Sequence, residues 1–303
     1  MYFSSCALSS PAGGLEPVFV DHRGGADAEG LRRRLADVAP DVVVVFRPEI
    51  VAPGLFDDLD ALTLGFSTEP LPRDAAPVHP DQLFRLGELT DADASQFDRI
   101  VTFDPLSATA AAAHLPVWRS LPLPVDDRFY APVGAWQRPP RPVFVGYATE
   151  HRERFLVDAK HEFDVLHVAW GLHGDALREL FVRTDIALNV HHSAYPSFEN
   201  RVLLHLAAGH LVISEPLSPR HGLQPGVELL EVRTSEELRR TIRSVRAAPE
   251  GYDPIRRAGR RSAERFRASH VWPRLIGDLR RDVACFGSLR APRPRAVPRG
   301  QRP

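Results

Sequence analysis

The sequence predicts an α/β fold divided into two domains of similar size. The chain has 303 residues, enough for two ordinary domains of about 150 residues each. Short β-branched apolar runs alternate with segments of helical composition, and this alternation stops at a proline-dense stretch and then begins again. Hydrophobic residues make up 44% and charged residues 25% of the chain, which is the balance of a globular protein with a sizeable core.

Four apolar runs in the first half are the predicted strands: residues 17–21, 41–46, 61–66 and 99–103. They are rich in branched residues, as are strands that are buried on both faces of a parallel sheet. Two segments of helical composition, 27–39 and 106–114, begin at the candidate capping residues Asp27 and Ser107. Strands and helices in this order are typical of an open α/β sheet.

The proline-rich stretch 121–142 has no periodicity, and we interpret it as an interdomain linker. Five strands are predicted after it, at 142–146, 163–170, 185–190, 210–215 and 227–232. Helices are predicted near 149–158, 174–183, 197–208 and 234–247, followed by helical stretches at 254–268 and 272–286. The predicted domain bounds are 1–130 for the first domain, 131–141 for the linker core and 142–287 for the second domain.

Residues 288–303 form a basic, proline-rich tail without apolar anchors, so we expect it to be disordered. Such a tail is usually a solvated terminus, and a weak electrostatic tether to an acidic partner is the alternative.

Charge and cysteine content restrict the classes of partner and the compartment. The net charge of −1 gives no reason to expect nucleic acid or an anionic membrane as the main partner. Cys6 and Cys285 are far apart and have no metal or redox spacing, which favours a reducing compartment. The first residues lack the basic start of a signal peptide, and no run reaches the roughly 18 to 20 apolar residues of a membrane span. We therefore expect a cytoplasmic protein without a transmembrane segment.

The stretch "VFVGYATEHRERF" is the first candidate binding segment of the second domain. In open α/β sheets, ligands bind beyond the carboxyl ends of the strands, where helix N-termini offer free N–H groups. Gly146 ends a predicted strand there, and His151 and Arg152 lie in the first turn or so of the next helix. We therefore expect Gly146 and Arg152 to contact an anionic ligand.

The apolar helix in "PSFENRVLLHLAAGHLVISEP" is the second candidate. Ser197 is a candidate N-cap, with Asn200 and Arg201 in the first turn. An arginine on a mostly buried helix needs an anion, either a ligand phosphate or an internal carboxylate. The structural alternative to a ligand is therefore a salt bridge from Arg201 to an acid such as Glu215 or Asp185.

His191 and His192 follow a predicted strand in the same region. Adjacent histidines on an extended segment point to opposite faces, and no acidic residue at ligand spacing completes a metal site. We predict no metal site, and we consider His191 as a contact for a sugar or phosphate beside the simpler possibility of a surface histidine pair.

The first domain offers one candidate, the loop "VDHRGG" after the first predicted strand. It matches neither the dinucleotide nor the P-loop fingerprint, and its glycines could equally serve a tight turn. A histidine at the carboxyl end of a strand is nevertheless well placed for acid or base work, so His22 is the candidate catalytic residue.

The second half of the sequence resembles a known family. The block "DIALNVHHSAYPSFENRVLLHLAAGHLVISEP" is similar to the donor-binding half of GT-B glycosyltransferases. The branch it resembles most is the CgeB-type, spore-maturation-like branch, with its N-x-R-x-F-E-x-L-A-x-G pattern after an "LN" strand. The segments "RPVFVGYATEHRERFL" and "PLPVDDRFYAP" and the long C-terminal helical region agree in order and spacing, so the likeness covers roughly residues 98–280.

The resemblance implies two Rossmann-like domains that face each other across a cleft. It implies a nucleoside-diphosphate sugar held mainly by the second domain, and transfer of a hexose-like sugar to an acceptor on the first. Such enzymes commonly need no metal or further cofactor, because helix dipoles and basic side chains stabilise the departing diphosphate. The resemblance therefore places Arg152 and Arg201 at the diphosphate and Asn200 near the sugar or phosphate.

The sequence departs from the family pattern at one important position. Related retaining enzymes carry a ribose-binding glutamate five residues before the glycine of the "AxG" turn, and here that residue is Leu204. The first glutamate of their paired pattern falls at Pro196. Either Glu199 or Glu215 substitutes, or the donor is held differently, or catalysis has been lost. Three functions remain to be distinguished. They are a glycosyltransferase, a non-catalytic GT-B-like binding or scaffold protein, and an epimerase or phosphorylase of the same fold.

Overall fold

The structure, a computed structural model, describes residues 2–22, 27–73, 78–172 and 174–290. Contacts between residues divide the chain into two compact units. The larger unit comprises Met1–Val20 and Pro122–Leu275, and the smaller unit comprises Asp21–Leu121 and Ile276–Pro303. The main division falls between Leu121 and Pro122, inside the proline-rich stretch 121–142 but before the predicted linker core 131–141, so residues 122–130 belong to the larger unit. Both ends of the chain, however, belong to the opposite units from those in which the predicted bounds place them.

The N-terminal segment belongs to the larger unit because specific bonds attach it there. The backbone N–H of Asp126 donates to the carbonyl of Ser5 at 2.8 Å. The indole N–H of Trp272 donates to the carbonyl of Cys6 at 2.8 Å. These partners are more than a hundred residues apart along the chain, so local sequence patterns could not reveal this placement.

The smaller unit contains a four-stranded parallel sheet in the order β1-β2-β3-β4. Its strands are β1 (Val42–Phe46), β2 (Leu62–Ser67), β3 (Arg99–Thr102) and β4 (Val117–Ser120). Its helices are α1 (Ala28–Val38), α2 (Pro80–Thr90) and α3 (Ala108–Ala112). Three of the predicted strands are present, whereas α2 and β4 are additional elements.

A side-chain cap marks the start of α1 but not the start of α3. The Asp27 carboxylate accepts a hydrogen bond from the Gly30 N–H at 2.7 Å, as predicted for the start of α1. At the start of α3, Ser107 makes no side-chain capping bond. Its hydroxyl instead donates to the carbonyl of Asp104 at 3.1 Å. The predicted capping role is therefore correct for Asp27 and wrong for Ser107.

The strand predicted at 17–21 is wrong. The structure shows no strand there, and Val18 and Phe19 are 57% and 43% exposed. A buried parallel strand requires a sheet neighbour on which to place its apolar side chains. Residues 17–21 pair with no neighbouring strand among the described residues. The first described strand is β1.

The C-terminal segment packs in the smaller unit. The Arg99 guanidinium pairs with Asp282 at 2.5 Å, and Arg119 pairs with Asp278 at 2.8 Å. The Arg290 guanidinium donates to the carbonyls of Phe56 and Ala61, each at 2.7 Å. The beginning of the predicted disordered tail, 288–290, is therefore bound to the protein. Residues 291–303 lie outside the described residues.

The larger unit contains a five-stranded parallel sheet in the order β6-β5-β7-β8-β9. Its strands are β5 (Pro142–Val145), β6 (Leu166–Val168), β7 (Ile186–Asn189), β8 (Leu211–Ser214) and β9 (Leu230–Glu231). Its helices are α4 (Glu150–Phe163), α5 (Gly174–Val182), α6 (Arg201–Ala207), α7 (Ser235–Ala247) and α8 (Asp253–Ala263), and α9 (Ala268–Phe286) continues into the smaller unit. All five predicted strands are present in shortened form.

The strand order reverses within this sheet, between β5 and β7. The chain leaves β5 on one side to form β6, then returns past β5 to form β7 on the other side. Such a reversal leaves a crevice at the carboxyl ends of the two strands, which is where open α/β sheets bind ligands. The pairing of Phe144 with Leu188 sets the register that brings the two strand ends together.

Helix α6 is the most deeply buried helix near this crevice, and all seven of its residues are buried. Helix α8 packs closely against it at Gly259. A Cβ atom at Gly259 would lie 2.6 Å from both the Glu228 carbonyl oxygen and a Leu206 methyl carbon. The glycine therefore permits the close approach that covers α6. Across the described ranges, every helix is too short or too polar to cross a membrane.

Candidate functional site

Arg152 connects the two sides of the crevice. Its Nε donates to the Val190 carbonyl after β7 at 3.0 Å, and its Nη1 donates to the Tyr147 carbonyl after β5 at 3.0 Å. Its Nη2 donates to the Glu199 carboxylate at 2.9 Å. The residue is 3% exposed. Arg152 is therefore fixed by both strand ends, with one edge of its guanidinium directed at a carboxylate.

Arg201 lies beside it as the first residue of α6. Its Nη1 donates to the same Val190 carbonyl at 3.4 Å, and its Nη2 pairs with Glu199. A Cβ at Gly146 would lie 3.3 Å from both terminal guanidinium nitrogens. Gly146 therefore leaves the space that Arg201 occupies, which gives this predicted site residue a packing role.

The two arginines share one carboxylate. Both guanidinium groups lie near the Phe144 ring, with Cζ 5.3 Å and 5.2 Å from its centroid for Arg152 and Arg201. Burial lowers the pKa of Arg152 to about 10, which leaves it charged at neutral pH. These two cations and Glu199 carry a formal charge of +1, and Glu215, whose charge also acts on Arg152, brings the sum over the crevice to zero. The planar guanidinium groups themselves suit a phosphate group in geometry and charge.

Arg201 pairs with neither Glu215 nor Asp185, the two acids that we named as examples of an internal partner. Asp185 accepts hydrogen bonds from the backbone N–H groups of Gln137 and Arg141, each at 3.0 Å. Glu215 accepts from the His191 N–H at 2.7 Å. Glu199, one residue before the N-cap position of α6, is the acid that pairs with Arg201. The structure thus contains the internal ion pair of the structural alternative, with Glu199 as the acid in place of the two examples named.

His191 and Ser197, both predicted donor contacts, bind each other. The His191 Nε2 lies 2.9 Å from the Pro216 carbonyl, which can only accept, so Nε2 carries the proton. Its Nδ1 therefore accepts from the Ser197 hydroxyl at 3.1 Å. Burial lowers the pKa of His191, in agreement with a neutral ring. Ser197 does not cap α6, because that helix begins four residues later, at Arg201.

Glu215 forms the other acidic part of the crevice. Its carboxylate lies 3.0 Å from the Nε2 of His151, in the first turn of α4. Its second oxygen accepts the His191 backbone N–H. Glu215 therefore links the ends of β8 and β7 to α4. The sequence singled out His151 and Glu215 separately, but only the fold pairs them.

Asn200 is bound to the N-terminal segment. Its Nδ2 donates to the Cys6 Sγ at 3.2 Å, and the residue is 6% exposed. Its Oδ1 has no hydrogen-bond partner within the described part of the chain. Burial raises the pKa of the Cys6 thiol to about 12, so Cys6 stays protonated. The predicted contact of Asn200 with sugar or phosphate stays a prediction.

The position of the missing glutamate is part of the core. Leu204 is 1% exposed. The next residue, His205, lies with its Nδ1 2.9 Å from the Nδ1 of His210, and both histidines are buried. Among the acids near the crevice, Glu199 and Glu215 are already engaged by arginine and histidine. Of these two, Glu199 contacts the candidate phosphate-binding residues directly.

The remaining predicted candidate is His22, in the smaller unit. It is half-buried, but no strand leads to it, because residues 17–21 do not form one. The rest of its loop, 23–25, lies outside the described residues. The catalytic role of His22 stays a prediction without the strand-end argument that supported it.

No group of three or more His, Cys, Asp or Glu residues is arranged for a metal ion in the described ranges. His191 is buried and His192 is exposed, as alternation along an extended segment predicts.

The sequence analysis missed a charged cluster at the carboxyl ends of β1 and β2. Arg47 lies 2.7 Å from Glu49, 3.3 Å from Glu69 and 3.7 Å from Glu88. Burial raises the pKa of Glu69. These residues are spread over more than forty positions and follow no motif, so no sequence signal identifies the cluster.

Comparison with known proteins gives a family match for part of the chain. Residues 148–280 match a family model described as "Glycosyl transferase-like". No curated protein matches the sequence.

Solved structures share the fold at low sequence identity. HepE from Anabaena, solved with UDP-glucose, has a TM-score of 0.58 and 11% identity, covering 84% of this chain and 82% of that chain. Sucrose-phosphate synthase from Thermosynechococcus elongatus has a TM-score of 0.55 and 12% identity, covering 85% and 77%. A glycosyltransferase from Rickettsia africae has a TM-score of 0.52 and 10% identity, covering 88% and 84%. The chain therefore has the α/β fold of GT-B glycosyltransferases and contains a glycosyl transferase-like domain at residues 148–280.

Proposed function

We propose that this protein is a glycosyltransferase that takes a hexose-like sugar from a nucleoside-diphosphate donor. The observation that carries the proposal is the pair Arg152 and Arg201, which share Glu199 at the point where the strand order reverses. Negative charge develops on the diphosphate as the sugar departs. Fixed cations in a partly dry crevice stabilise this charge without reorganisation.

The contacts of the two arginines suggest how the donor would be held. The Nε and Nη1 of Arg152 donate to backbone carbonyls, and these bonds orient its guanidinium before any ligand binds. The Nη2 groups of both arginines, now on Glu199, are the donors available to a diphosphate. Once displaced, the Glu199 carboxylate would accept hydroxyls of the ribose or sugar. Glu199 is thus our candidate for the function of the glutamate that Leu204 replaces.

The finer parts of the proposal rest on the sequence resemblance. They are membership of the CgeB-type branch, the acceptor on the N-terminal domain across a cleft, and independence from metal. The proposed cytoplasmic location rests instead on the two separated cysteines and on the hydropathy of the sequence. HepE was solved with UDP-glucose, with UDP, and with UDP and glucose, which makes UDP-sugars the first donors to examine.

The test is turnover of UDP-, GDP- and dTDP-linked sugars, measured as released nucleoside diphosphate with and without EDTA. Arg201→Ala removes a charge-assisted contact of about 1.5–3 kcal/mol, so donor affinity should fall about ten- to a hundredfold. Arg154→Ala is the matched control, because Arg154 is 74% exposed and pairs with Glu150 on the same helix. Equal donor binding by Arg201→Ala and the parent would refute the assignment, and loss of activity in EDTA would refute metal independence.

A non-catalytic binding protein is the second candidate, and the buried Leu204 favours it. A thermal-shift screen against nucleoside diphosphates distinguishes the two. A ligand at 100 times its Kd adds about 2.7 kcal/mol of stability. Stabilisation together with turnover supports the transferase. Stabilisation without turnover, or no response to any nucleotide, supports the binding protein.

A further inference from the structure

An open cavity of about 350 Å³ lies at the surface of the larger unit, at the end of the sheet opposite the crevice, and all of its lining residues except Arg246 are exposed. It is lined by Gln137, Arg138, Pro139, Arg141, Asp164 and Arg246. Arg141 immediately precedes β5, and Asp164 lies between α4 and β6. The lining residues therefore lie at the amino ends of the same strands whose carboxyl ends form the crevice. The proposed donor function does not use this cavity.

The cavity carries an excess of positive charge. Its lining contains three arginines and one carboxylate, a formal balance of +2. The Arg138 side chain is 72% exposed and pairs with Glu250 outside the lining. Arg246 donates from Nε to the Pro140 carbonyl at 3.2 Å and from Nη2 to the Phe163 carbonyl at 2.6 Å. These carbonyls hold Arg246 in place, and its acidic neighbours are Asp164 of the lining and Glu162, which pairs with two other arginines of α7.

Arg141 supplies a second guanidinium. Its side chain makes no hydrogen bond or ion pair with any described residue. Its backbone is nevertheless well fixed, because the buried Asp185 carboxylate accepts the N–H groups of Gln137 and Arg141, each at 3.0 Å. Asp185 thus clamps both ends of the loop 137–141. One side of the cavity is thereby pre-formed.

We propose that this cavity binds a phosphate-bearing small molecule. Arg141 and Arg246 contact the phosphate, because guanidinium groups match phosphate oxygens in geometry and charge. Asp164 accepts a hydroxyl of the same ligand. The volume is at the lower end of the range of small-molecule sites, about 300–1,000 Å³. It therefore suits a sugar phosphate better than a larger dinucleotide.

The experiment is a calorimetric titration with glucose 6-phosphate at low ionic strength, with glucose as the uncharged comparison. We expect the parent to bind glucose 6-phosphate and not glucose. Arg141→Glu should weaken binding at least tenfold, because it reverses the charge of an unpaired cation without removing any side-chain bond. Arg240→Glu is the matched control. Arg240 is 64% exposed on the same helix as Arg246 and does not line the cavity, so its variant should bind as the parent does.

A variant of the donor crevice distinguishes phosphate binding at this cavity from binding at the crevice. Arg201→Ala, which weakens the crevice, should leave the titration unchanged. The proposal is overturned if Arg141→Glu binds glucose 6-phosphate as tightly as Arg240→Glu, if the parent does not bind it, or if binding disappears with Arg201→Ala. The last result would assign the phosphate to the donor crevice. Failure of this proposal leaves the transferase proposal intact, since the latter is tested by nucleoside-diphosphate release.

Discussion

Replacing Glu199 by Gln changes the charge of the crevice while keeping the size of the side chain. In the parent, two guanidinium groups share this carboxylate, and its side chain is 20% exposed. The substitution leaves two neighbouring cations, so the formal charge of the cluster formed by Arg152, Glu199 and Arg201 rises from +1 to +2. The same change should therefore lower stability and raise affinity for an anion.

The size of both effects follows from these contacts. Charged hydrogen bonds contribute about 1.5–3 kcal/mol, but Gln keeps a carbonyl acceptor and solvent reaches the site. We therefore expect the free energy of unfolding to fall by about 1–2 kcal/mol. One charge about 5 Å from a diphosphate corresponds to about 3 kcal/mol at an effective dielectric constant of 20. Screening reduces this value, so we expect roughly tenfold tighter binding of UDP.

The assay combines urea denaturation with calorimetric titration of UDP and of uridine. Uridine lacks the diphosphate, so its affinity should not increase. Glu150→Gln is the control, because Glu150 is 84% exposed and pairs only with Arg154. Unchanged or weaker UDP binding by Glu199→Gln, with uridine binding unchanged, would show that the two arginines do not receive the diphosphate. An equal gain in Glu150→Gln would assign the effect to general charge.

Two further predictions concern buried titratable groups. Burial lowers the pKa of His210 to about 4 and holds that of His205 well below its usual value. Both rings are neutral in the folded protein, so the unfolded chain binds more protons between about pH 6.5 and 4. The free energy of unfolding should therefore fall on acidification through this range. In His205→Leu the slope of the free energy of unfolding against pH should be smaller by up to about 1.4 kcal/mol per pH unit. Denaturation at several pH values measures this slope, and an unchanged slope would exclude His205 as the cause. Cys6 is buried with a raised thiol pKa, whereas Cys285 is exposed. Under native conditions an alkylating reagent should modify one thiol, identified by peptide mass analysis as Cys285, and rapid modification of Cys6 would show that the N-terminal segment detaches.

The alternation of apolar runs and helical segments was enough to predict the parallel sheets. Strands such as 185–190 and 210–215 are buried on both faces, and their composition alone identifies them. The same reasoning failed at 17–21, where branched residues lie in an exposed connection. Composition describes what a strand needs, but it does not show whether a neighbouring strand is present.

The candidate site was predictable in its location and in its arginines. Arg152 was identified from its place at the start of a helix that follows a strand end, and Arg201 because a buried cation requires an anion. The structural alternative for Arg201 named Glu215 and Asp185 as examples, and the local sequence did not single out Glu199. The choice depends on where α6 begins, and it begins at Arg201 instead of Ser197.

The order of residues thus accounts for the fold class, the sheet of the larger unit and the two arginines of the crevice, because each depends on local composition or on the position of a charged residue at a helix start. Three features were decided by packing between distant segments. Cys6 reaches Asn200, Glu199 bridges two arginines from different helices, and the end of α9 binds β3 and β4. Such contacts join residues that no local pattern relates, so only the folded chain selects one partner among many of suitable chemistry.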